Sequence, residues 1–225
     1  MSLLTYLQDA DFNLKIAVNY HTMTDFLDKF STTGALLNGH FILSSGLHSP
    51  KYLQCALALQ QPEDAAEFGR AIVERLRTDE RNPVAITPGS DLGVDLVASP
   101  AIGGLVIGFA VAQALGVRFL WTERQNGEMT LRRGFTLCEG ERILVVEDVI
   151  TTGGSTRECI AALEANGGKV VAAASIIDRS NGTADVGVPR ISLVEMDVPS
   201  YSVAECPMCA NGIEAVKPGS RVPVE

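Results

Sequence analysis

Apolar runs of strand length alternate with stretches of helical period through the middle of the chain. Arg142 to Glu147 contains Ile143-Leu144-Val145-Val146, an unbroken run that suits a strand buried on both faces. A helical stretch follows from about Gly154 to Asn166, ended by Gly167-Gly168, and Lys169 to Ile177 reads as the next strand. Upstream, strands are predicted at Val84 to Thr87, Leu96 to Ser99 and Arg118 to Thr122, with a helix over about Gly104 to Leu115. Pro62 to Glu80 carries the clearest helical period. Ala65, Phe68, Ile72 and Leu76 fall on one face, Pro62 opens the first turn, and Glu63 and Asp64 suit its positive end. Nearer the start, His21 to Thr33 predicts a helix, and Phe41 to Leu43 and Tyr52 to Leu57 predict short strands.

Strand, helix and strand at this spacing imply right-handed βαβ crossovers, and so an α/β fold with a central parallel sheet flanked by helices. A chain of 225 residues can bury such a core as one domain. The core is expected over about residues 61–189. The first 60 residues and the tail after Pro189 would form a small hood beside it.

Composition narrows the classes. Hydrophobic residues at 46% and charged residues at 20% are ordinary for a soluble globular protein. A net charge of −9, with no basic helix-turn-helix segment, argues against nucleic acid as a partner. The uncharged stretch Val97 to Val117 is long enough to cross a bilayer, but Ser99, Pro100, Gln113 and four glycines interrupt it, so no membrane association is expected. The N-terminus lacks the basic start and apolar run of a signal peptide, and five thinly spread cysteines fit a reducing compartment, so the expected location is cytoplasmic. Cys206 and Cys209 have metal-like spacing, yet no second Cys/His pair follows them. A local structural role is therefore expected, with no metal held by protein ligands. His21, His40 and His48 form no evident cluster in the sequence.

The stretch richest in chemistry runs from Val145 to Thr156: Val-Val-Glu-Asp-Val-Ile-Thr-Thr-Gly-Gly-Ser-Thr. A buried strand delivers two adjacent acids to its C-terminal end, where open α/β sheets bind ligands. Hydroxyls and backbone N–H groups at the following helix N-terminus can then hold a phosphate. A P-loop is excluded by the missing Gly-Lys pair, and no Gly-x-Gly-x-x-Gly follows a strand. Carboxylates beside a phosphate cradle suit a ligand that also carries hydroxyls or a bound cation. A sugar phosphate fits that description.

This stretch resembles the motif by which the type I phosphoribosyltransferases bind phosphoribosyl diphosphate (PRPP). The resemblance implies that Glu147 and Asp148 take the ribose 2′ and 3′ hydroxyls. Val149, Ile150, Thr151, Thr152, Gly153, Gly154 and Ser155 would complete the PRPP site, with Thr151 to Ser155 on the 5′-phosphate. It also implies Mg²⁺ as cofactor, held mainly by diphosphate and ribose oxygens, and a homodimer.

Three further segments resemble the orotate branch of that family. They are Gly39 to Tyr52, the strand end Ile177-Asp178-Arg179-Ser180, and Cys206-Pro207-Met208-Cys209 with Lys217 to Arg221. The resemblance implies that Arg179, with Thr151, binds orotate, and a planar guanidinium suits a carboxylate. The stretch Trp121 to Gly134 lies where the family has a mobile loop over the diphosphate, often supplied by the partner subunit. There Arg124, Arg132 and Arg133 would join Asp148 as the catalytic set. The usual loop lysines and histidine are missing. Ser44 stands where many members have a lysine, and Gly103 replaces another. Transfer to a different base, or a weakly catalytic PRPP-sensing regulator, are the alternatives.

Overall fold

The computed structural model describes residues 26–43, 46–79 and 93–218. It opens on a helix over 26–32 (α1), followed by strands Leu36–Ile42 (β1) and His48–Leu53 (β2) and by helices Cys55–Ala58 (α2) and Pro62–Thr78 (α3). Then come Leu96–Pro100 (β3), Gly104–Leu115 (α4), Arg118–Gln125 (β4), Glu128–Leu131 (β5), Arg142–Ile150 (β6), Gly154–Glu164 (α5), Lys169–Asp178 (β7) and Arg190–Glu195 (β8). A 3-10 turn at Val203–Glu205 and a short helix, Pro207–Ala210 (α6), close the described chain.

The central sheet has six strands in the order β5-β4-β3-β6-β7-β8. Every neighbouring pair is parallel except β4–β5, which forms an antiparallel edge hairpin. The alternation of side chains along β6 builds both faces. Leu144 and Val146 pack into the layer with α3 and α4, while Ile143 and Val145 pack with Cys159, Ile160 and Leu163 of α5. All four are fully buried, which is why the run contains no polar interruption. Gly69 lets α3 lie close on α4: a Cβ there would stand 2.7 Å from the Ala110 carbonyl. Helix α1 docks on α3 through Phe26 and Phe30, whose ring centroids lie 5.1 and 5.7 Å from that of Phe68. Lys29 adds ion pairs to Asp64 and Glu67 at 2.7 and 2.6 Å.

The hood is built by both ends of the described chain. β1 and β2 pair antiparallel as a separate two-stranded sheet. The tail crosses both strands. His48 and Tyr201 exchange backbone hydrogen bonds at 2.8 Å, the Val216 N–H donates to His40 and the Ile42 N–H to Val216, each at 2.8 Å.

Several expectations need correction. The chain after Pro189 does not leave the sheet at once, because Arg190–Glu195 forms its β8 edge. The strand expected over Tyr52 to Leu57 ends at Leu53, and Cys55–Ala58 is helical. Of Phe41 to Leu43, Phe41 and Ile42 end a longer strand that begins at Leu36, whose middle, Leu-Asn-Gly-His, reads as a turn, and Leu43 lies outside it. Residues 93–218 contain no mid-chain span: among the described residues no helix is long and apolar enough to cross a membrane. The strand expected at Val84 to Thr87 and the first part of the His21 helix lie outside the described residues.

Candidate active site

β6 continues three residues beyond the expected Glu147, so both acids sit within the strand and point to opposite faces. Glu147 turns toward α5, where its Oε2 accepts a hydrogen bond from the Thr156 hydroxyl at 2.5 Å. Asp148 turns toward α4, with its Oδ1 accepting from the Val149 N–H at 2.9 Å. Gly103, just before α4, lies against this carboxylate: a Cβ there would come within 2.7 Å of Asp148 Oδ1. A lysine at 103 would displace the acid, so the glycine is part of how Asp148 is seated.

Burial pushes the Glu147 carboxyl up from its ordinary 4.5 to about 7, the Thr156 hydrogen bond opposes this, and Asp148 adds to it. Burial likewise raises Asp148. A carboxyl raised in the folded state is destabilising once ionised. For Glu147 that penalty is absent below 4.5 and complete above about 7. Glu147→Gln is therefore expected to stabilise the ligand-free protein at pH 8 by on the order of 2 kcal/mol, discounted for partial exposure, with the gain vanishing near pH 4. Urea unfolding at the two pH values measures it, and an equal effect at both would refute the assigned ionisation.

The expected phosphate cradle follows. Val149 is half-buried and Ile150 fully buried, closing β6, while Thr151, Thr152 and Ser155 are exposed. Gly153 sits at φ +73°, before the first turn of α5, and no side chain caps that helix. A Cβ on Gly153 would meet Val186 at 2.7 Å, so glycine is required by both conformation and space. The first N–H groups of α5, beginning at Gly154, are thus open to an anion. Arg157, not singled out from the sequence, braces the loop by donating to the carbonyls of Thr152 at 2.9 Å and Asp185 at 2.5 Å.

Beside this cradle lies a cavity of about 590 Å³. Thr151, Thr152 and Arg179 form one wall, Leu43, Leu47 and Tyr52 of the hood another, and Lys217 and Pro218 of the tail a third. Arg179 follows β7 directly, its N–H donating to Ile150 at 2.8 Å. Its Nε is buried without a hydrogen-bond partner. Burial lowers the Arg179 pKa, with Tyr52 acting the other way.

The adjacent Asp178 does not use Arg179. Burial opposes Asp178 ionisation, but Ser180, Arg190 and the N–H groups of Ser180 and Gly182 outweigh it and hold the carboxyl below its ordinary range. Arg190 is the ion-pair partner, at 2.6 Å. Nothing in the sequence around Arg190 marks this role, which frees Arg179 to face the cavity.

The Trp121 to Gly134 stretch folds as the β4–β5 hairpin with Asn126-Gly127 at its tip. Arg124 donates to the Gly127 carbonyl at 2.8 Å and pairs with Glu158 of α5. Arg133 chelates Glu123 at 2.7 and 3.0 Å, and Arg132 stands 3.5 Å from the same carboxylate. None of the three lines the cavity. Ser44 lies outside the described residues. The histidines, by contrast, do cluster: His40 and His48 meet each other at 2.7 Å and both approach the cysteine pair of the tail.

Comparison with known proteins agrees with this geometry. The phosphoribosyl transferase domain family matches residues 58–198. An orotate phosphoribosyltransferase of Pelotomaculum thermopropionicum is 48% identical over 200 residues, covering 89% of this chain and 98% of the relative. That of Thermotoga maritima is 47% identical over 189 residues, covering 84% and 94%. Among solved structures, orotate phosphoribosyltransferase from Aeropyrum pernix superposes with a TM-score of 0.58 at 26% identity, covering 74% of this chain and 90% of that one. With its cradle, its two acids and these matches, the chain belongs to the phosphoribosyltransferase family, among the orotate phosphoribosyltransferases.

Proposed function

We propose that the protein transfers the 5-phosphoribosyl group of PRPP to orotate, giving orotidine 5′-monophosphate and diphosphate. The observation that carries this reading is Arg179. Its buried, unpartnered Nε shares a cavity with Thr151 and Thr152, so a carboxylate-binding cation stands beside the phosphate cradle. The relatives that match most of the chain bear the same activity in their names.

In this mechanism the Thr151–Ser155 loop holds the 5′-phosphate, and Glu147 and Asp148 hold the ribose hydroxyls. The bond from ribose C1′ to the diphosphate oxygen breaks as the bond to a ring nitrogen of orotate forms, and the proton of that nitrogen passes to the departing diphosphate or to water. Positive charge develops on the ribose, next to the carboxylates. The protein contributes positioning, charge stabilisation and exclusion of water.

Glu147 and Asp148 are too few to cage a cation, which suits Mg²⁺ bound chiefly through substrate oxygens with these acids at its edge. Bound there, the ion would neutralise charge on the departing diphosphate. Arg124, Arg132 and Arg133 are proposed to do the same from a partner subunit, exchanging their glutamate partners for diphosphate. An apolar stripe supports a homodimer: Ile102, Val106 and Phe109 on and before α4 are 83%, 48% and 59% exposed. Five cysteines, none of them in a disulfide, support a cytoplasmic location.

One acceptor screen tests the activity, following diphosphate release from PRPP and Mg²⁺ with orotate, uracil, hypoxanthine, guanine and adenine. Orotate is expected to be turned over far faster than any of the other bases. A preference for another base would overturn the assignment, and PRPP binding without any turnover would make the protein a sensor.

A further inference from the structure

Two histidines of the hood hairpin and two cysteines of the tail converge at the point where the tail crosses it. His40 and His48 are 4% and 6% exposed, and Cys206 is 2% exposed. His40 Nε2 lies 2.7 Å from His48 Nδ1, 3.4 Å from Cys206 Sγ and 3.7 Å from Cys209 Sγ. Cys209 Sγ lies 3.3 Å from His48 Nδ1. The four ligand atoms all fall within 4.8 Å of one another.

The backbone sets which nitrogen of His40 faces the group. Its Nδ1 is 2.7 Å from the Ile213 carbonyl, and a nitrogen against a carbonyl oxygen carries the proton. Nε2 therefore presents its lone pair to the cluster. A ligating histidine whose other nitrogen donates to a carbonyl is the usual outer-shell arrangement of a metal site.

A tetrahedral zinc ion with ordinary bond lengths places its ligand atoms about 3.3 Å apart for two nitrogens, about 3.6 Å for nitrogen and sulfur and about 3.8 Å for two sulfurs. Three of the four nitrogen–sulfur separations, at 3.3, 3.4 and 3.7 Å, already match, and every pair of ligand atoms lies within 4.8 Å. The two imidazole nitrogens need to part by roughly half an ångström to admit the ion.

We propose that His40 Nε2, His48 Nδ1, Cys206 Sγ and Cys209 Sγ bind one Zn²⁺ in a closed tetrahedral site. Mixed thiolate and imidazole ligation selects zinc over magnesium or calcium, and four protein ligands leave no position for substrate. Binding releases two protons, one from each thiol, and two thiolates with two neutral imidazoles balance the dication. The role is structural. A hood made of one hairpin and a tail has little core of its own, and small units of this kind depend on staples. Sequence order conceals the site: the histidine pair lies upstream of the cysteine pair, on the opposite end of the chain.

Metal analysis of the purified full-length protein tests it. One zinc per chain is expected, falling to background in a Cys206→Ser/Cys209→Ser double variant and in His40→Gln. Where those variants fail to fold, the wild type still decides. Thiol modification should release zinc in step with the loss of two cysteines per chain. Replacement by Co²⁺ should give the visible bands of a tetrahedral site together with thiolate-to-cobalt charge transfer. A wild-type protein that binds no zinc even after incubation with it overturns the proposal. So does zinc retained in full by a folded double variant, or a Cys206–Cys209 disulfide in metal-free protein.

Discussion

Asp148→Asn is expected to lower turnover of PRPP about a hundred- to a thousandfold, the scale of losing one preorganised charge-stabilising group. The same substitution should leave the protein as stable as before, or more so. Asparagine is close in shape, and its amide oxygen can still accept the Val149 N–H bond now made at 2.9 Å. It also removes a carboxyl whose ionisation burial opposes. Activity and stability thus move in opposite directions, a pattern that damage to the fold cannot produce. Steady-state kinetics alongside urea unfolding above neutral pH measures both. Near-wild-type turnover would mean that this acid does not face the ribose.

Arg179→Ala should reduce kcat/KM for orotate roughly ten- to a hundredfold, from the loss of about 1.5–3 kcal/mol in a charge-assisted hydrogen bond. The PRPP KM should hardly change, because the cradle from Thr151 to Ser155 keeps its own donors. Uracil lacks the carboxylate, so it should be a poor acceptor for wild type and almost indifferent to the substitution. The structure sharpens the test, since Asp178 is satisfied by Arg190 and the loss of Arg179 breaks no ion pair with it. Equal losses with both bases would assign Arg179 to support of the cavity wall instead of recognition.

What the sequence made legible was local. The run Ile143 to Val146 and the loop Thr151 to Ser155 are consecutive, and each carries its own physical signature: apolar residues for a strand covered on both faces, and glycines and hydroxyls for an anion at a helix start. The place of Arg179 just past a strand end was legible for the same reason. Features made across the fold were hidden. The closeness of Gly103 to Asp148 depends on the packing of α4 against β6, so the glycine looked like a lost lysine. The two acids were read together, and strand alternation sets them on opposite faces of β6, each with its own hydrogen-bond partner. β5 was missed because its four residues, Glu-Met-Thr-Leu, are too few to show a period, and β8 because its apolar run follows a proline at an expected boundary. The histidine and cysteine pairs were each read alone, since nothing in either segment refers to the other.

The acceptor cavity has one wall from the beginning of the described chain and one from its end, and His40 bonds to Ile213 across 173 positions. Contacts this distant form late, because the intervening chain must be ordered or at least enclosed before they close. During synthesis, which runs from the N-terminus, the sheet and its phosphate cradle are complete once β8 has emerged. The wall containing Lys217 and Pro218 does not yet exist at that moment. A molecule stopped or cut just after β8 therefore has the Thr151–Ser155 loop without the tail wall, and the proposed acceptor cavity takes shape only once Lys217 and Pro218 are in place.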